Sequence, residues 1–218
     1  MSARQGTPVA ALKTRDRILE TSLGLFNQEG LAGVSTHRIA AELGMSTGNL
    51  HYHFRTKELI VTWLFRRFEE RFAPCIDANA SVTALDDLWL SLHLTFEAID
   101  EYRFIYRDIE YLLKEFPELE TRAQSLTARN LLATKAMCAG LAAAGVIDAS
   151  AENVEMLALQ IVFSTTCWFS FKRLTPPQKS PTYGPSALAA YYTLTLLSPY
   201  VVGESKDYLN YLRAKYLR

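Results

Sequence analysis

The sequence predicts an all-α protein: a small N-terminal three-helix unit with a helix-turn-helix pattern, then a larger helical region. Three observations predict this. Apolar residues recur at three- and four-residue spacing in nearly every segment, which is the period of a helix with one buried face. The ten glycines and eight prolines among 218 residues fall mostly in short breaks between those segments. With 49% hydrophobic and 21% charged residues, the chain can bury a sizeable core and is not of disordered composition.

Residues 1–12 read as a loose arm, with Arg4 within it and Lys13 at its end placed to lie along an anionic partner. The first helix is predicted over Thr14–Glu29, where Ile18, Leu19, Ser22, Leu25 and Phe26 share a face. Gly30 ends it, and residues 31–34 form a turn. Ser35 is an N-cap for a second helix, because its hydroxyl can accept from a free backbone N–H one turn in. Ile39, Ala40 and Leu43 give that helix its apolar stripe, and Gly44 follows at the position that needs a left-handed backbone. Ser46 caps a third short helix, whose Leu50 and Phe54 face inward. Thr47, Asn49, His51 and His53 are left mainly on the other side. Thr56 caps the next helix, with Lys57 in its first turn. Leu59, Ile60, Trp63, Leu64 and Phe68 carry that helix to Phe72, before Pro74.

Helix, glycine turn and short polar-faced helix form a pattern with two readings. One is a helix-turn-helix whose second helix enters a DNA major groove, about 12 Å wide. The other is a generic αα-hairpin in a helical bundle. Periodicity alone does not separate them.

Residues 74–82 read as the clearest break. Thr83 and Asp86 form a capping-box pattern for a helix to Glu101, with Leu85, Leu88, Trp89, Leu92, Phe96 and Ile99 inward. Residues 102–116 carry Phe104, Ile105, Ile109, Leu112, Leu113 and Phe116. Pro117 suits the start of a long helix to Ala144 with Leu119, Leu126, Leu131, Leu132 and Leu141 along it, and Gly145 stops it. Ser150 opens a helix that is apolar on almost every face through Phe171. After the Pro-rich loop 174–184, Ser186–Val202 is again apolar nearly all round. Such helices are buried on two sides. They pack either inside one bundle or against a second subunit as an intermolecular four-helix bundle. Residues 204–218 read as an amphipathic terminal helix with Tyr208, Leu209, Leu212, Tyr216 and Leu217.

Net charge is zero, but unevenly placed. Residues 1–57 hold seven Lys/Arg against four acids, so +3, and the remainder carries −3. This asymmetry agrees with a nucleic-acid face confined to the N-terminus. Cys75, Cys138 and Cys167 are isolated and odd in number, so neither a disulfide framework nor a zinc site is indicated. His51 and His53 lie two residues apart and point to different sides of a helix, which argues against a shared metal. The start of the chain has no apolar run of signal-peptide length. The two greasiest segments are interrupted short of the roughly 20 apolar residues of a membrane span. A cytoplasmic protein with no membrane partner is expected. No nucleophile–base motif, phosphate loop or metal spacing points to an enzyme or a cofactor.

Ile39-Ala40, Gly44, Ser46, Gly48, Leu50, Tyr52-His53-Phe54 and Lys57-Glu58-Leu59 resemble the N-terminal domain of the tetracycline-repressor (TetR) family of bacterial regulators. The resemblance extends back over Arg17-Ile18-Leu19 and Leu25-Phe26 to Gly30, covering about residues 14 to 60. It departs at His51, where the family usually has a tyrosine that touches the DNA backbone. Histidine can still donate to phosphate, but such a contact becomes pH-sensitive.

The resemblance implies a helix-turn-helix DNA-binding domain over 1–55 and a helical ligand-binding and dimerisation domain over 56–218. It implies a homodimer on a palindromic operator in double-stranded DNA, a repressor released by a small effector; an activator or global regulator with no inducer is the alternative. Base reading falls to Thr47, Gly48, Asn49 and His53, with Arg38 adding a base or phosphate contact. Ser35, Tyr52 and Lys57 suit phosphate clamping; His37 and His51 stand between the roles, and Ser46 opens the reading helix. Dimerisation falls to the helices near 150–173 and 186–202. An apolar or aromatic effector would meet Trp63, Trp89, His93, Phe96, Tyr106, Phe163, Cys167 and Trp168, all of which also read as ordinary core.

Overall fold

A computed structural model describes residues 8–175 and 185–216. The loop 176–184, most of the N-terminal arm and Leu217 lie outside the described residues. Eleven α-helices are found among the described residues, in two compact units.

The first unit comprises residues up to Phe68 together with Asp108–Glu120. It holds α1 (Pro8–Glu29), α2 (Thr36–Glu42), α3 (Thr47–His53) and the first half of α4 (Lys57–Asn79). α1 begins at Pro8, six residues before Thr14, since proline is preorganised for a first helical turn. Leu19, Phe26, Ile39, Leu50, Phe54 and Ile60 are closed from solvent in this unit. Ser22 is buried there without penalty, because its hydroxyl donates to the Ile18 carbonyl at 2.7 Å.

The second unit holds the rest of α4 with α5 (Leu85–Glu101), α6 (Phe104–Arg107), α8 (Glu120–Ala143), α9 (Ala151–Leu174), α10 (Pro185–Leu197) and α11 (Ser205–Tyr216). Between α6 and α8, α7 (Ile109–Glu115) and a 3-10 turn at Pro117–Leu119 belong to the first unit. Leu88, Leu92, Met137, Leu157, Leu194 and Leu209 bring five helices into one core. Gly140 allows α8 to approach the chain before α5: a Cβ there would lie 2.6 Å from the Val82 carbonyl oxygen.

Several boundaries differ from expectation, each for a tertiary reason. α4 continues through Pro74 to Asn79. An interior proline costs about 3 kcal/mol. Phe72, Cys75 and Ile76 are buried, extending the stripe of Phe65 and Phe68, and each large side chain returns roughly 1.5–3 kcal/mol. The Thr83–Asp86 capping box is not made: Ala84 is the N-cap and has no side-chain cap. Asp86 instead accepts from the Tyr208 hydroxyl of α11. That hydrogen bond, and secondarily burial, pushes the Tyr208 phenol up to about 12. The long helix after Pro117 opens as a 3-10 turn. Its Leu132 is 71% exposed, because the buried stripe runs through Leu126, Asn130, Ala133, Met137 and Leu141 instead. α10 stops at Leu197, before Pro199, and the chain turns into an antiparallel bridge between Val201 and Ile147.

Candidate nucleic-acid interface

The helix-turn-helix is closed by local hydrogen bonds that its sequence dictates. Ser35 accepts from the Arg38 amide at 3.1 Å and Ser46 from the Asn49 amide at 3.2 Å. Gly44 takes φ +64°. Its N–H reaches Ala41 and that of Met45 reaches Ala40, the paired bonds of a Schellman motif. Leu50 and Phe54 anchor α3 in the core. Arg15 of α1 holds its far end: the guanidinium lies 4.5 Å from the Phe54 ring centre and donates to the His53 carbonyl at 3.4 Å. A cation there also complements the helix dipole.

With that face buried, Gly48, Asn49, His51 and Tyr52 are exposed, Tyr52 at 82%. Thr47 and His53 are half-exposed beside them, and the Tyr52 and His53 rings meet edge to face at 5.2 Å. A Cβ added to Gly48 would meet nothing nearer than Ser46 Oγ at 4.0 Å, so nothing inside the protein demands glycine there. Below α3 lies a notch of about 440 Å³ lined by residues 32–36, His51, Arg55, Thr56 and Lys57. His51 Nε2 is 3.4 Å from Thr36 Oγ1 across it. Thr36 and Arg55 join the notch beside the residues expected from the sequence. Ser35 and His37 are exposed at the start of α2.

Two of the expected contacts are occupied within the protein. The Arg38 guanidinium bridges Glu42 and Glu29, each at 2.7 Å, and so braces α2 on the end of α1. Lys57 turns inward: its ammonium donates to the Leu31 carbonyl and lies 5.8 Å from the ring centres of both Phe26 and Tyr111. Burial lowers its pKa, with Glu115 opposing.

The aromatics expected to meet an effector lie in different surroundings within their own units. Trp63 belongs to the first unit, 40% exposed, with Arg15 and Arg66 guanidiniums 5.1 and 5.3 Å from its ring centre. The Trp89 and His93 rings lie 4.3 Å apart, tilted by 41°, and Phe96 is closed in the core. Trp168 meets Tyr192 at 5.4 Å. Tyr106 is half-buried, its phenol held above the ordinary value by burial, and Cys167 is also half-buried. Phe163 faces outward at 65% exposure. The indole N–H groups of Trp89 and Trp168 are buried with no acceptor among the described residues. A groove of about 530 Å³ in the second unit is lined instead by Glu69, Glu70, Ala73, Thr121, Arg122, Ser125, Leu126 and Arg129.

A short polar-faced helix held over a notch lined by His51 and Arg55, after a capped glycine turn, is a helix-turn-helix. A family model described as bacterial regulatory proteins of the tetR family matches residues 18–62, and one described as bacterial transcriptional repressor matches residues 67–209. The chain belongs to the tetR family of bacterial transcriptional regulators, whose members are not enzymes. A TetR-family regulator from Marinobacter aquaeolei superposes with a TM-score of 0.83 at 33% identity, covering 94% of this chain and 99% of that one. The ketosteroid regulator KstR2 of Mycobacterium tuberculosis shares the fold, with a TM-score of 0.63 at 21% identity over 87% and 96% of the two chains. So does a regulator from Saccharomonospora viridis in complex with choline, at 0.68 and 18% over 88% and 100%. The regulator SAB2452 of Staphylococcus aureus is 28% identical over 120 residues, 55% of this chain and 57% of that protein. The chain thus spans just over half the length of the curated relatives it matches.

Proposed function

We propose that the protein represses transcription as a homodimer on a palindromic operator and leaves it when a small molecule binds the second unit. The observation that carries the DNA reading is the exposed face of α3, where Gly48, Asn49, His51 and Tyr52 stand out toward solvent. Asn49 suits a base edge; Ser35, Thr36, His51, Tyr52 and Arg55 suit phosphates. Dimerisation is supported by α9. Val154, Leu157 and Ile161 pack inward, while Met156, Leu159, Phe163 and Phe171 form an outward apolar row. By length and composition α9 could also cross a membrane. A second subunit is the partner that suits a two-sided apolar helix in a cytoplasmic regulator. The two-fold axis then sets half-sites about 10 bp or slightly more apart.

The effector reading is supported by the buried indole N–H groups of Trp89 and Trp168, since an unsatisfied buried donor costs about 1–3 kcal/mol. An apolar or aromatic molecule with a carbonyl or hydroxyl would satisfy one of them. It would shift DNA binding only by preferring one arrangement of the protein. A second reading, a regulator without an inducer, draws on the close packing of Leu88, Leu92 and Phe96.

Selection of duplexes from a random library tests the proposal. A palindromic consensus is expected, and Asn49→Ala should change which bases are preferred within it. Uniform weakening on every sequence would make Asn49 a phosphate contact, and enrichment of no duplex would remove the DNA reading. Tryptophan fluorescence read against a small-molecule panel separates the two regulatory readings.

A further inference from the structure

Asp108 breaks a local rule. It occupies the N-cap of α7, a position where aspartate normally accepts from its own helix, yet it makes no side-chain cap there. Its carboxylate instead accepts from the Leu31 amide at 2.7 Å, 77 positions away in sequence. The other side of the same residue is also held, since the Leu31 carbonyl accepts from Lys57. Leu31 is fully buried and follows Gly30, whose φ of 91° turns the chain out of α1. The next residues, 32–36, form one wall of the notch and deliver Ser35 and Thr36. The segment carrying Asp108 is fastened to the same unit by the buried Leu112 and Leu119 and by Thr62 Oγ1, which donates to Glu118 at 3.5 Å.

We propose that Asp108 and Lys57 are positioning residues for DNA binding: they grip the N–H and C=O of Leu31 and so place Ser35 and Thr36. This rests on the DNA-binding reading of α3 and goes beyond it in naming a residue outside the helix-turn-helix. Neither side chain touches DNA. A mere surface ion would have no such preference for an oxygen acceptor at one buried amide, so the conservative replacement is informative. Asparagine keeps an acceptor oxygen and removes the charge; alanine removes both.

The test uses the full chain and a duplex enriched by the wild-type protein from a random library. Asp108→Ala should weaken binding by about tenfold, the loss of one half-buried hydrogen bond to a charged acceptor. Asp108→Asn should stay within about threefold of wild type, and both should keep the wild-type dependence of affinity on salt, because no phosphate contact is lost. Hydrogen exchange of the Leu31 amide should quicken in the alanine variant and not in the asparagine one. Lys57→Met, which keeps the stem without the amine, should weaken binding with the salt slope unchanged, and it serves where Asp108→Ala fails to fold. Undiminished binding by Asp108→Ala overturns the proposal. So does equal damage from asparagine and alanine, which would make charge the cause. A salt slope reduced by about one in Lys57→Met would put Lys57 on a phosphate and overturn its part. If the wild-type protein enriches no duplex, the DNA-binding reading falls and takes this one with it.

Discussion

At the scale of single residues, the interface depends as much on what is missing as on what is present. Gly48 has open space where a side chain would sit. Gly48→Ala should therefore leave the fold intact and raise stability by about 0.5–1 kcal/mol, the propensity gain of alanine in a helix. If the α3 backbone approaches DNA closely, the same change should lower operator affinity at least about tenfold. Thermal melting and fluorescence anisotropy measure the two effects, and unchanged affinity would rule out the close approach. Cys138 shows a different residue-scale effect. It is closed in the second unit, and burial pushes its thiol from 9.0 up to about 12. The folded protein keeps a proton that the unfolded chain releases, so this contribution is complete below pH 9.0 and is lost as pH rises toward about 12. Relative to wild type, Cys138→Ala should flatten the alkaline fall in stability by up to about 1.4 kcal/mol per pH unit. Urea unfolding at a series of alkaline pH values reads that difference; parallel slopes would contradict it.

At the scale of elements, helix contacts set how much a methyl group matters. In α8, a Cβ on Gly140 would press on the Val82 carbonyl at 2.6 Å, and backbone cannot swing aside as a side-chain tip can. Gly140→Ala should cost about 1–3 kcal/mol. Gly24 in α1 has nothing within 4 Å, and Gly24→Ala should be neutral or stabilising by up to about 1 kcal/mol. Denaturant midpoints of the pair test the contrast, and similar shifts in both would show that the α8 approach is not tight. Helix starts and stops were mostly legible in the sequence where the signal lies within about four residues: Ser35, Ser46 and Ser150 cap as expected, and Gly44 and Gly145 take positive φ. The failures share a cause. Pro74 stays helical and Thr83 does not cap, because tertiary burial of the side chains around Pro74 and the Tyr208–Asp86 bond outweigh the local preference.

At the scale of the whole molecule, the apolar outer row of α9 is the feature with the largest consequence. On the proposed homodimer, replacing Phe163 with glutamate should yield monomers by light scattering and lower affinity for a full palindrome by about two orders of magnitude, since two linked half-sites would then bind separately. A dimer that persists would move the subunit contact elsewhere. The sequence by itself determined the helical class, the helix-turn-helix with both of its caps and its glycine turn, and the polar face of α3. These follow from contacts between near neighbours along the chain. Only the tertiary structure decided which apolar residues stay outside, as Phe163 and Leu132 do, and where the charged side chains of the head are spent. Arg38 goes to Glu29 and Glu42, Lys57 to the Leu31 carbonyl and Asp108 to the Leu31 amide. Those choices rest largely on partners from 9 to 77 residues away, which no local pattern encodes.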